Sequence, residues 1–293
     1  MGFMVREGHE MTIDIQAILK DKARQMDGAL QTFFETEEGY LQEFFAASSH
    51  AVTAGGKRVR PVLTLLFAEA CGNARPQDAM QAALAIELLH SYTLVHDDLP
   101  CMDNDSLRRG QPTVWAKYGE ATAVLAGDYL QARAFACIAA CESAAELLPE
   151  LTRAATEVIH GQVADIDATR IPAAEWDTEL MCRIYFGKTC ALIETACRMG
   201  VIAAGGSAEE FRAADIYGRH VGMAFQLIDD LLDANQANEG NEFNALAVCN
   251  NDPEELKRMA RAYTELAIGA LEAFSGDTTV LKAFAESLLT RLI

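Results

Sequence analysis

Between Gln77 and Asp98 the chain is apolar on nearly every side of a helical wheel until His90 interrupts it. A helix that is hydrophobic all round has no face to give to water, so it predicts a central helix with other helices packed about it. The rest of the chain agrees. Runs of Val, Ile and Thr with period two are nearly absent, whereas apolar residues recur at helical spacing along most of the length. Helices are expected over 13–49 (as one or two), 60–71, 77–98, 112–118, 120–141, 144–169, 175–204, 208–234, 253–273 and 277–292. The breaks between them include CGNARP at 71–76, ESAAELLPE at 142–150, RIPAAE at 170–175, AAGGSA at 203–208 and DANQANEGNEFN at 233–244. No fixed-period repeat and no low-complexity linker divides the chain. The expectation is an all-α fold, one domain over residues 1–293. Met11 offers an alternative start, so residues 1–10 are expected to be extraneous to it.

Composition removes several classes of function. The formal charge of -19, from 24 basic and 43 acidic residues, argues against a nucleic-acid binder and against attachment to anionic lipid by charge. The eight cysteines form no CxxC pair, and most sit in apolar, helix-like surroundings. This points to a reducing compartment, no structural disulfides and no zinc site. The N-terminal residues lack the apolar core of a signal peptide, and no uninterrupted apolar run is long enough to span a bilayer. A cytoplasmic location is expected.

Two acidic clusters carry the chemistry. In LVHDDLPCMDNDSLRRG, from Leu94 to Gly110, Asp97 and Asp98 fall at the end of the apolar helix. Pro100 ends or bends that helix, and the turn lets Asp103 fold back toward Asp97. A solvated acidic helix end is the plain alternative, but these carboxylates sit at the mouth of a core. In FQLIDDLLDANQ, from Phe225 to Gln236, Asp229 and Asp233 are four apart and Gln226 is three before Asp229, so all three share one face of a second apolar helix. Two such helices packed together would set carboxylate against carboxylate, an arrangement suited to several Mg²⁺ ions bridging to phosphate. The cations then find a role. Arg108 follows the first cluster, and GGKRVRP, from Gly55 to Pro61, puts Lys57, Arg58 and Arg60 within four positions of an acidic chain. The pattern suggests two diphosphate pockets, one metal-bridged and one metal-free.

GGKRVRP, ELLHSYTLVHDDLPCMDNDSLRRGQPT, LAGDYL, GQVADI, FGKTCALIETA and FQLIDDLLD occur in the same order in the short-chain trans-prenyltransferases, the family of farnesyl and geranylgeranyl diphosphate synthases. The chain resembles that family from about residue 25 to residue 234, and most nearly its bacterial farnesyl diphosphate synthases. The resemblance implies an isoprenoid synthase bundle of about ten core helices around a deep cavity, usually as a homodimer. It implies head-to-tail condensation of isopentenyl diphosphate with dimethylallyl or geranyl diphosphate, releasing pyrophosphate. By the same resemblance Asp97, Asp98, Asp103, Arg108, Lys188, Asp229 and Asp230 are catalytic. Asp97, Asp98, Asp103, Asp229 and Asp233 would hold three Mg²⁺ ions, for which Mn²⁺ can substitute. Arg108, Lys188, Thr189 and Gln226 match contacts to the allylic substrate, and Lys57, Arg60, His90 and Arg109 match contacts to isopentenyl diphosphate. Taken singly, Lys188 could be an exposed helix charge and His90 a satisfied core histidine.

Tyr92 lies five positions before Asp97 and Thr93 four before it, where a growing prenyl tail must pass. An aromatic residue here, with the Leu-Pro expansion of the first motif, accompanies a fifteen-carbon product in similar bacterial sequences. Farnesyl diphosphate is therefore expected, with geranylgeranyl diphosphate as the alternative. The chain departs from the family in two places. Ser106 stands where a further aspartate is common. After the second motif, no lysine or arginine occurs from Ala234 until Lys257, where the family carries lysines that approach the allylic diphosphate. That loss leaves a weakly active or non-catalytic paralogue as a competing reading. A terpene cyclase would lack GGKRVRP and would mix Asn, Ser or Thr with Glu in its second motif. A nucleotide-dependent kinase is excluded because no P-loop occurs.

Overall fold

The computed structural model describes residues 4–7, 10–35, 40–233 and 243–290. It opens with a hairpin of two four-residue strands, β1 (Met4–Glu7) and β2 (Glu10–Ile13), with Met4 opposite Ile13. Strands this short escape a search for period-two runs. Within the segment expected to be extraneous, residues 4–7 and 10 belong to this hairpin. Asp14 then starts a helix by accepting the Ala17 N–H on Oδ1 at 3.0 Å. The expected 13–49 helix accordingly becomes α1 (Ile15–Glu35) and α2 (Gln42–Thr53).

The chain continues through α3 (Val59–Ala70) and α4 (Pro76–Asp97), then a two-residue hairpin, β3 (Leu107–Arg108) with β4 (Gln111–Pro112). After it come α5 (Val114–Tyr118), α6 (Glu120–Ala139) and α7 (Ala144–Ala168). The expected 175–204 helix is interrupted. Asp177 accepts the Leu180 N–H at 2.8 Å and starts α8 (Thr178–Tyr185), a π-turn covers Phe186–Cys190, and α9 (Ala191–Ala204) follows. The remaining helices are α10 (Ala208–Asp233), the single turn α11 (Ala245–Val248), α12 (Pro253–Ala270) and α13 (Thr279–Thr290). The two hairpins are the strands among the described residues, so the fold is all-α, as expected.

Helix α4 is the axis, as its composition predicts. Leu84, Ile86, Leu88 and Leu89 are all buried, and the helix packs against α3, α6 and α9. α3 and α9 each serve two apolar cores. Leu65 and Met199 face the core around α4, α6 and α7, whereas Leu63 and Cys197 face the one around α10, α12 and α13. A charged residue on an axis like this needs a partner. Glu87 has Arg58, whose Nη1 lies 2.6 Å from Oε1. Arg58 also reaches Asp27 of α1 at 2.8 Å and the Val52 carbonyl of α2 at 2.7 Å. It is 4% exposed, so it is not one of three cations offered to a ligand by GGKRVRP. Its backbone has φ of 50°, and that left-handed turn sends its side chain inward. Among the described residues no helix is long and apolar enough to cross a membrane.

Candidate active site

α4 stops at Asp97, and the loop beyond it folds back. The Asp103 N–H donates to the Asp97 carbonyl at 2.9 Å, and the Leu99 carbonyl accepts from Met102 at 2.9 Å and Asn104 at 3.1 Å. Asp103 is thereby returned toward Asp97. Burial pushes the Asp97 carboxyl up to about 7; Lys188 opposes that shift, while Asp103 and Asp98 add to it. Burial also raises Asp103, helped by Asp165 and Asp105. Asp98 is placed differently. It is 4% exposed, and its Oδ1 is held by Arg108 through Nε at 2.7 Å and Nη2 at 2.5 Å. Asp98 and Arg108, expected to serve a metal and a substrate separately, are here bound to each other.

The facing wall is built where α7 meets the π-turn. A Cβ on Gly161 or on Gly187 would run into the backbone of the other, so the two chains touch there. The wider π-turn then directs Lys188 and Thr189 inward. Lys188 Nζ lies 2.5 Å from Asp165 Oδ2. Thr189 Oγ1 donates to Gln226 Oε1 at 2.8 Å, and Gln226 Nε2 donates to Asp230 Oδ1 at 3.0 Å. Asp230, expected to be catalytic, is 5% exposed and turned toward Tyr185 and the backbone of Ala245.

Three cavities meet between these walls. The first, of about 650 Å³, is lined by Asp103, Asp105, Arg108, Asp165, Lys188 and Asp233. The second, of about 640 Å³, holds Lys57, Arg60, His90, Arg109 and Asp229. The third, of about 330 Å³, is walled by Tyr92, Thr93, Asp97, Val158, Ile159 and Val163. Thr189 lines all three, and Gln226 and Arg108 line the first two. In the second cavity Arg60 Nη1 lies 3.2 Å from His90 Nε2, and burial, with Arg109 near, brings Arg60 down to about 10. Arg109 is anchored by donating Nη1 to the Gly55 carbonyl. Gly56 has φ of 144°, a backbone conformation that side chains rarely adopt, and a Cβ there would stand 2.5 Å from that same nitrogen.

Among the described residues no three Asp, Glu, His or Cys side chains stand close enough to grip a metal ion between them. Asp97, Asp103, Asp229 and Asp233 are instead spread around the junction of the cavities. Their all-oxygen chemistry, and the burial that makes Asp97 and Asp103 costly to ionise, fit hard divalent cations that bridge to a phosphate ligand. Sequence reasoning missed Asp165 as a site residue, although it quoted the GQVADI that contains it. The available signal was spacing: Gln162, Asp165 and Ile166 share a face of α7, and each lines a cavity. The departure expected after Asp233 falls largely on residues 234–242, which lie outside the described residues.

A family model described as polyprenyl synthetase matches residues 41–244. The chain belongs to that family. Geranylgeranyl pyrophosphate synthase 3, chloroplastic, of Arabidopsis thaliana is 39% identical over 241 residues, which are 79% of this chain and 66% of the plant protein. The chain thus spans slightly less than two thirds of that relative's length. Among solved polyprenyl synthetase folds, an apo FPP/GFPP synthase from Zymomonas mobilis superposes with a TM-score of 0.84 at 30% identity, covering 94% of this chain and 99% of that one. A geranyltranstransferase from Thermotoga maritima does so with a TM-score of 0.79 at 27% identity, covering 94% and 97%.

Proposed function

We propose that this chain is a prenyl diphosphate synthase that condenses isopentenyl diphosphate with dimethylallyl or geranyl diphosphate, and that its principal product is farnesyl diphosphate. One observation carries the reading: an acidic cavity, a basic cavity and an apolar one open onto a single threonine, Thr189. That is the division of space such a reaction needs. One diphosphate sits among the carboxylates with Arg108 and Lys188, the other among Lys57, Arg60, His90 and Arg109, and the hydrocarbon tail runs past Tyr92.

Divalent cations held by Asp97, Asp103, Asp229 and Asp233 would supply the charge that stabilises the departing diphosphate. Arg108 and Lys188 add fixed positive charge on the same side. The allylic C–O bond breaks with its electron pair leaving on oxygen. The double bond of isopentenyl diphosphate, held within reach by the basic cavity, supplies the electrons of the new C–C bond. A proton is then lost from the carbon next to the new cation, and the released pyrophosphate is its acceptor. The aliphatic wall of Val158, Ile159 and Val163 carries no nucleophile that would quench a carbocation. Lys57→Ala or Arg60→Ala is expected to raise chiefly the KM for isopentenyl diphosphate.

The plant relative above is named for a geranylgeranyl product. What favours fifteen carbons in this chain is Tyr92, a buried ring beside the tail cavity. It meets the His96 ring at 5.7 Å and 88°. His96 is itself anchored, Nε2 lying 3.0 Å from the Val124 carbonyl in a space that any side chain at Gly127 would fill. A ring packed against an anchored neighbour forms a floor, and a pocket wall of that kind discriminates by chain length.

The test is turnover of labelled isopentenyl diphosphate by the purified chain, with chromatography of the dephosphorylated alcohols. Farnesol is expected as the main alcohol, and Tyr92→Ala is expected to shift it to longer ones. Unchanged length in that variant would put the floor elsewhere. Activity is expected to vanish with EDTA and to return with Mg²⁺ or Mn²⁺. Full turnover in EDTA would remove the metal-bridged site, and no turnover under any condition would leave the non-catalytic paralogue.

A further inference from the structure

Asp229 and Asp233 line the cavities, one turn apart on α10. Asp230, between them in sequence, points elsewhere. Its Oδ1 accepts Gln226 Nε2 at 3.0 Å. Its Oδ2 accepts the Ala245 N–H at 2.6 Å and the Tyr185 hydroxyl as well. The same N–H lies 2.9 Å from the Tyr185 oxygen, so carboxylate, hydroxyl and amide form a closed triangle. A carboxylate offers about four lone-pair positions. Here three donors from three elements take up three of them, and turning Asp230 toward a cation would break all three bonds in a place that is 5% exposed.

What the triangle holds is informative. Ala245 opens α11, whose first turn is capped by Asn244, Oδ1 accepting from Leu246 at 2.8 Å. Two residues before Ala245, the Phe243 ring packs 4.9 Å from Trp176 and 5.7 Å from Tyr185. Phe243 lines the first cavity alongside Asp233 and Lys188. On the other side, Gln226 passes the bond from Asp230 to Thr189, the residue at the junction of the three cavities. We propose that Asp230 is a positioning residue and not a metal ligand: it docks the segment beginning at Phe243 onto the cavity wall, and through Gln226 it fixes the hydroxyl of Thr189. The statement about metal rests on the function proposed above; the docking stands without it.

Asp230→Asn is the informative change, because the amide turns one oxygen acceptor into a donor that faces another N–H. Tyr185→Phe removes one hydroxyl from the same triangle and serves if the first variant does not fold. In metal-free protein, hydrogen exchange at the amides of Ala245–Val248 is expected to quicken about tenfold or more in either variant. Unchanged exchange in both would overturn the docking. Mn²⁺ bound per chain in the presence of inorganic pyrophosphate is expected to match the wild type in Asp230→Asn and to fall in Asp229→Asn. An equal fall in both would overturn the claim about metal. The Mg²⁺ concentration giving half-maximal turnover should likewise stay put in Asp230→Asn while kcat/KM for the allylic diphosphate drops about tenfold; a shifted Mg²⁺ requirement counts against the proposal. If the wild type binds no Mn²⁺ with pyrophosphate, the proposed function fails, and the exchange measurement still decides the docking.

Discussion

His90 holds its ring in a wall of cations. Arg60 can only donate, so the Nε2 that it meets at 3.2 Å must accept, which requires a neutral ring. Burial lowers the affinity of His90 for a proton well below the ordinary 6.5, and Arg60, Arg109, Arg108 and Arg58 all push the same way. The unfolded chain takes up that proton near pH 6.5 and the folded chain only at much lower pH. In that window protons favour the unfolded state, so stability falls as pH drops below about 6.5 and is fully present above it. His90→Gln is expected to shrink the loss of Tm of the ligand-free protein between about pH 7.5 and about pH 5.5. An undiminished loss would assign the acid sensitivity to other groups. The residue scale is also where sequence reading reached its limit. Lys57, Arg58 and Arg60 look equivalent in GGKRVRP and all three border one cavity, yet the Arg58 guanidinium is taken up by Glu87 and Asp27. Nothing in the string gives the left-handed backbone at Arg58 that separates them. Asp229 and Asp230 are a second case: the letters DD do not say which carboxylate finds a tyrosine behind it.

Helices with long apolar repeats were readable almost to their ends, because burial on one face imposes the period that the eye detects. The interruption at Phe186–Cys190 was not. It arises from contact between Gly161 and Gly187, residues far apart in sequence, and a π-turn leaves no local signature. Its support comes from a buried charge network on α9. Glu194 is fully buried, with Arg153 Nη2 at 2.9 Å, Arg198 Nη1 at 3.0 Å and Arg219 Nε at 3.1 Å. Arg198 also meets Asp215 at 2.7 Å and Glu150, so α7, α9 and α10 are joined through one carboxylate. Arg219 continues to the π-turn, its guanidinium 5.2 Å over the Phe186 ring. Removing Glu194 takes a buried counter-ion from three arginines at once, of which Arg198 keeps Asp215 and Glu150, and breaking buried pairs costs far more than the intact pairs contribute. Glu194→Ala is expected to lower stability by about 3–5 kcal/mol, read as a lower urea midpoint with an unchanged slope. A loss no larger than that of an exposed ion pair, about 1 kcal/mol or less, would show that the arginines find water instead.

At the scale of the whole molecule, the homodimer that the family resemblance implies has a testable counterpart in the surface beside the tail cavity. Leu125 is 58% exposed on α6, and Ile159 and Val163 are 50% and 52% exposed on α7. Exposed apolar side chains that join into one patch on neighbouring helices form a candidate contact surface. Ile159 and Val163 also wall the third cavity, and His96 of that cavity is bonded to α6 at Val124. The same face is thus both the outside of the molecule and one side of the space proposed for the prenyl tail. A second copy packed across it by a two-fold axis would cover each apolar stripe with its own equivalent and shut water out of both cavities at once. Leu125→Asp tests this without touching a cavity residue. The wild-type chain is expected to show the mass of two copies by light scattering, and the variant the mass of one. The monomer should keep its helical signal and lose turnover, since its tail cavity would stand open to solvent. A wild type that runs as a monomer with full turnover would leave α6 and α7 to some other contact, and the walls around Tyr92 would then have to exclude water unaided.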